Sequence, residues 1–133
     1  MQLPFLQQVL GDVEVIPLLA GEAAPAEVAH AFDALWGGNE TLIVVSSDLS
    51  HYHAYEHARA LDLAAARQIE ALGPMLTHDQ ACGATPVNGL LVAAARRGMR
   101  VETLDLRNSG DTAGPRDRVV GYGAFAFHEG GTR

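Results

Sequence analysis

The chain has 133 residues, the length of one domain, and 48% of them are apolar, enough to bury a core. Sixteen acidic and nine basic residues give a formal net charge of -7, which argues against the basic face that nucleic acid or an anionic membrane surface requires. Every basic residue is arginine, which excludes Schiff-base and phosphate-loop lysine chemistry, and the single cysteine cannot form an internal disulfide.

The first residues, "MQLPFLQQVLGDVEV", carry neither a basic region nor a long apolar run, and no stretch approaches the roughly 20 apolar residues of a membrane span. A cytoplasmic chain is expected. Leu3–Leu10 is apolar on one face and predicts a short helix ended by Gly11-Asp12. Val13–Ala20 alternates and is rich in Val, Ile and Leu, which predicts a strand, with Pro17 marking an edge or an irregularity. "GEAAPAEVAHAFDALWGG" predicts a helix with Pro25 in its first turn and Val28, Phe32 and Leu35 at helical spacing. Thr41–Ser47 is a continuous β-rich run, the pattern of a strand buried on both faces.

A long helix is expected over roughly His53 to Leu72, striped by Ala58, Leu61, Ala65, Ile69 and Leu72 and stopped by Gly73-Pro74. "PMLTHDQA" is ambiguous and fits a short helix. "ATPVNGLLVAAARRGM" predicts another helix, with Val87, Leu90, Leu91 and Ala94 inside and Gly98 as its stop. "RVETLDLRNS" predicts a strand, "GDTAGPRDR" a loop and "VVGYGAFAFH" a last strand, while "EGGTR" should fray. The fold class is α/β, a mixed sheet flanked by helices on both faces, as one unit over residues 1–133. Four strands make a small sheet for such apolar helices, which suggests that a partner is missing.

Asp48 and His51 follow the β-rich run, at the carboxyl end of a strand, where open α/β sheets bind ligands. They can act as base, acid or ligand. Equally, Asp48 or Ser50 can cap the next helix. His53 and His57, four apart, fit either a metal-chelating pair or solvated surface. Cys82 in "ACGATP", just before a helix, fits a metal ligand, a nucleophile, a redox sensor or a small core residue. The loop around Arg116, Asp117 and Arg118 fits an anion site or a solvated hairpin. Gly121 and Gly123 suggest close backbone approach, and His30 and His78 look like surface residues.

Together "LPFLQ", "VVSSDLSHYHAYEHARALD", "ACGATPVNGLL" and "LDLRNSGDTAGPRDRVVGYGAFAF" resemble, in this order, the Memo-like family, whose prokaryotic members are called AmmeMemoRadiSam system protein B. The resemblance runs from Leu3 to Phe127. It implies a fold similar to class III extradiol dioxygenases and a cleft that binds iron or copper. Cys82 would be a metal ligand there, and Asp48 and His51 would line the cleft as catalytic residues.

Full-length members are about twice as long, as suits a larger α/β domain. This chain resembles their C-terminal half. Two metal-binding histidines belong to the other half, and none of the six histidines here takes their place. The implied function is a partial metal-binding cleft with dioxygenase-like redox chemistry. The alternatives are a non-catalytic peptide- or protein-binding module and an inactive truncated remnant. The expected partner is a second copy of the chain or a separate chain supplying the N-terminal half, with a pathway link to a radical-SAM protein.

Overall fold

Apolar spacing alone places the helices of this chain well. The computed structural model describes residues 2–73 and 75–130. The elements run α1 (Leu3–Leu10), α2 (Pro25–Leu35), β1 (His51–His53), α3 (Tyr55–Glu70), α4 (Ala84–Arg96), β2 (Arg100–Asn108) and β3 (Val119–His128), with a 3-10 turn at Ser109–Asp111. Pro74 and the "GTR" part of the tail expected to fray lie outside the described residues.

Helix α2 starts where Pro25 pre-sets the first turn, and the Glu27 carboxylate accepts the Ala24 N–H at 2.8 Å. Helix α3 has Glu56 in its first turn and Arg67 in its last, both favourable to the helix dipole. Its cap is Ala54, with no side-chain bond, so neither Asp48 nor Ser50 caps it. Helix α4 ends before Gly98, whose φ of 62° turns the chain into β2. The "PMLTHDQA" stretch forms a turn over its described residues rather than a helix.

The sheet has the order β1-β3-β2, and both pairings are antiparallel. The expected mixed sheet is therefore antiparallel in this chain. Among the described residues, helices do not cover both faces of this sheet either. Arg100, Glu102 and Arg107 project from β2 into solvent, where Glu102 pairs with His128 at 3.2 Å and Arg107 with Asp105 at 2.6 Å. The inward residues Val101 and Leu106 meet α3 and α4 through a core of Leu49, Ala65, Ile69, Leu76, Ala81, Ala84 and Leu91. A second cluster of Ala29, Phe32, Leu90 and Ala93 joins α2 to α4, and the two small alanines allow close approach.

Two expected strands do not form. Val13–Ala20 is exposed along its whole length and is in no strand. Thr41–Ser47 is also outside the sheet, yet its burial alternates: Ile43 and Val45 pack on the second cluster while Leu42 and Val44 face solvent. A period of two with one apolar face in and one out is strand behaviour. Among the described residues, no strand pairs with it.

The loop after β2 is tied to α3. The Tyr55 hydroxyl donates to Asp111, Asn108 N–H donates to the same carboxylate at 2.8 Å, and Arg116 lies 4.4 Å over the Tyr55 ring. The Tyr55 bond, then the Asn108 bond, hold the Asp111 carboxyl below its ordinary range, and the same Tyr55–Asp111 bond holds the Tyr55 phenol above its own. A depressed carboxyl contributes above its ordinary range and loses that contribution as pH falls through its folded value. A raised phenol contributes below its ordinary range and loses it as pH rises through its folded value. Ultraviolet titration of tyrosinate should therefore show one phenol ionising late, and Asp111→Asn should return it toward the ordinary range. Three unchanged phenol titrations in that variant would contradict the contact.

Candidate metal centre

The site is built where the extended Thr41–Ser47 run meets the edge of β3. Leu49 N–H donates to Gly121 O and Gly121 N–H donates to Ser50 O, both at 2.8 Å. Ser50 N–H then donates at 2.9 Å to the carboxylate of Asp62, which is buried on α3. Gly121 allows this approach, because a Cβ there would overlap the Asp62 carboxylate. The joint fixes the backbone immediately before His51.

Beyond it the pairing slips. His51 lies opposite Val120 and His53 opposite Val119, so Tyr52 is an extra residue in β1. Its φ is 61°, the left-handed region that non-glycine residues enter only where surrounding contacts hold them. This bulge shifts the register between the two flanking histidines, which both stay paired, and re-aims their side chains. Its Tyr52 ring meets His51 edge-on at 5.7 Å, and Arg118 lies 5.1 Å over its face.

Cys82 arrives from the other side, just ahead of α4. Cys82 N–H donates to Asp48 O at 3.3 Å, and Asp48 N–H donates to Cys82 Sγ at 3.2 Å. Ser47 Oγ donates to Asp48 O at 2.7 Å and accepts the Gly83 N–H at 2.9 Å. A Cβ at Gly83 would lie 2.8 Å from Ser47 Cβ and 2.9 Å from Ser46 O, so the two segments touch backbone to backbone. The Asp48 N–H and the Ser47 hydroxyl thus fix where the Cys82 sulfur sits.

Asp48, His51 and Cys82 are thereby brought together. Each offers one ligand atom, and the three atoms lie within 4.8 Å of one another. His51 Nε2 is 3.7 Å from Asp48 Oδ2, and Cys82 is exposed. Bonds of about 2.0–2.3 Å from oxygen, nitrogen and sulfur to one ion place its ligand atoms roughly 3–4 Å apart, so the group closes on an ion by small rotations. A donor set of one carboxylate, one imidazole and one thiolate suits zinc, iron, cobalt or copper rather than magnesium or calcium. Three such ligands would leave a position on the ion open.

Other residues that the spacing singled out stay apart. His53 and His57 form only a surface pair, with ring centroids 4.8 Å apart. Arg116, Asp117 and Arg118 are exposed, as a solvated loop requires. His78 is exposed, as expected, and borders a cavity of about 550 Å³ that it shares with Ala20–Ala23, Cys82 and Thr85. Cys82 thus stands between this cavity and the Asp48–His51 pair. Spacing gave no hint of Ser47 or Tyr52. Asp62 did leave a signal, as a charged residue inside the apolar stripe of α3.

Fold and site define a small α/β chain that brings a carboxylate, an imidazole and an exposed cysteine sulfur together at the edge of its sheet. The chain belongs to the Memo-like protein family, whose description matches residues 1–126. It is 32% identical to a MEMO1 family protein of Aeropyrum pernix, over 92% of this chain and 48% of that protein. It is 33% identical to one of Methanosarcina acetivorans, over 93% of this chain and 52% of that protein. A third, from Saccharolobus solfataricus, is 29% identical over 95% of this chain and 49% of its own length. The chain spans about half the length of these curated relatives. Among the described residues no helix is long and apolar enough to cross a membrane.

Proposed function

We propose that this Memo-like chain carries a mononuclear transition-metal site held by Cys82, His51 and Asp48, with iron or copper as the ion. The observation that carries the reading is the convergence of three ligand atoms of different softness within 4.8 Å, from two segments 34 residues apart. A bound ion of this kind would supply Lewis-acid and one-electron redox chemistry at the open position. The protein's own part is to hold the thiolate with the Asp48 N–H, fix His51 through the Tyr52 bulge, and leave one side open toward the cavity beside Cys82. On this reading the chain contributes one wall of a redox cleft related to that of extradiol dioxygenases.

Cobalt(II) serves as a spectroscopic probe of the donor set. Adding it should give a sulfur-to-metal charge-transfer band together with visible ligand-field bands. Cys82→Ser should lose the charge-transfer band, and His51→Ala should keep it while weakening binding by at least about tenfold. A cobalt spectrum with no sulfur band, or one that Cys82→Ser leaves unchanged, would sink the proposal.

A further inference from the structure

The imidazoles of His51, His78 and His128 each face a polar side chain, from Asp48, Thr85 and Glu102 respectively. Among the described residues, His53 and His57 face each other instead, with ring centroids 4.8 Å apart and ring planes tilted by 50°. His53 is half-buried and His57 is exposed, so the pair opens to solvent.

Both mounts are fixed. His53 is the last residue of β1 and lies opposite Val119 of β3. His57 stands in the first turn of α3, where the Ala58 N–H donates to Ala54 O at 2.9 Å and the Tyr55 N–H donates to Arg116 O at 3.0 Å. The pair therefore bridges the edge strand and the helix that follows it.

The distance between the rings fits one shared ion. A ring nitrogen binds a first-row transition ion at about 2.0–2.1 Å and stands roughly 1.1 Å from its own ring centroid, so two imidazoles at about 90–110° around one ion hold their centroids roughly 4.5–5.3 Å apart. The observed 4.8 Å lies within that span. Rotation about χ2 turns each ring about an axis that passes close to its centroid, so the nitrogens reach a common point without the rings moving apart. The positive end of α3 opposes a cation here, while Glu56 in the first turn and the formal net charge of -7 favour one.

We propose that His53 and His57 form a second site, separate from Asp48, His51 and Cys82, for a divalent late-transition cation. Two imidazoles without a carboxylate or thiolate suit copper(II), nickel(II) or zinc(II), with copper(II) held most tightly, and do not suit magnesium or calcium. With two ligands and no thiolate the pair binds more weakly than a three-ligand centre, so it fills in a titration and empties on dialysis. An ion there clamps the end of β1 to the first turn of α3. The proposal rests on this pair alone, so it fails separately from the Cys82 centre.

The test is a Cu²⁺ titration of the 133-residue chain carrying His51→Ala and Cys82→Ser, followed by calorimetry and electron paramagnetic resonance. This background lacks two ligands of the first centre and should still take up one Cu²⁺ per chain, with nitrogen and no sulfur in its spectrum. Adding His53→Ala or His57→Ala should weaken that uptake at least about tenfold. Adding His30→Ala, at an exposed position on α2, should leave it unchanged. Because His57 is exposed, its truncation should keep the fold, which circular dichroism checks. Cu²⁺ should also raise the thermal midpoint of the background chain, and His57→Ala should abolish that rise. No uptake by the background chain, or uptake that His57→Ala leaves unchanged, overturns the proposal.

Discussion

Leu91→Ala should cost about 2–5 kcal/mol of folding stability, the range for emptying a fully buried leucine site. Leu91 is 1% exposed and sits in the cluster that joins α3, α4 and β2 to Leu49 of the site loop. Its neighbours include Ala65, Ala81 and Ala84, which have no side chain long enough to swing into the void. The loss should therefore fall toward the upper part of the range. Against the roughly 5–15 kcal/mol of an ordinary domain this is a large fraction. The check is urea denaturation of wild type and variant, with Leu104→Ala as control. Leu104 is 62% exposed at the irregular point of the β2–β3 ladder, and its truncation should stay within about 0.5 kcal/mol. Equal midpoints for Leu91→Ala and Leu104→Ala would show that the main core lies elsewhere.

The second large effect is expected at the joint beneath the site. An alanine at position 121 would place its Cβ on the Asp62 carboxylate. Either Asp62 moves and Ser50 N–H loses its acceptor, or β3 moves away and the Leu49–Gly121 and Gly121–Ser50 bonds open. Overpacking together with loss of a charge-assisted hydrogen bond should cost about 2–5 kcal/mol. The double variant Gly121→Ala with Asp62→Ala frees the space and should be less destabilised than the two single variants added together. Strict additivity in that cycle would mean that the two residues do not meet. Because His51 follows directly, Gly121→Ala should also weaken metal binding, and a variant with full binding would show that the joint does not position the site.

How much of this was legible beforehand depended on how local each feature is. The helices α2, α3 and α4 were readable because their stripes and breakers are local: Phe32, Ala65, Ile69, Leu90 and Leu91 recur at helical spacing and are buried. Strands β2 and β3 were readable for the same reason. Strand β1 was not, because three residues with no apolar alternation carry no strand pattern, and they pair only where Gly121 admits the chain against Asp62. The strands expected over Val13–Ala20 and Thr41–Ser47 fail for the converse reason. Their composition is local, but pairing needs a neighbour, and none is present among the described residues.

The site divides in the same way. Asp48 and His51 were visible as polar residues ending a β-rich run. Ser50 looked like a cap but is fully buried, with its hydroxyl unpartnered among the described residues. That Cys82 meets Asp48, its N–H donating to Asp48 O and its sulfur accepting the Asp48 N–H, is a property of topology, which no spacing of 34 residues announces.

The central claim is that this chain itself holds a metal ion. Its most direct test is the metal content of the purified chain by mass spectrometry after anaerobic loading with Fe²⁺ or Cu⁺, beside Cys82→Ala and His51→Ala. The account predicts close to one ion per chain and a marked loss in both variants. A folded wild-type chain that retains no metal under these conditions would contradict it.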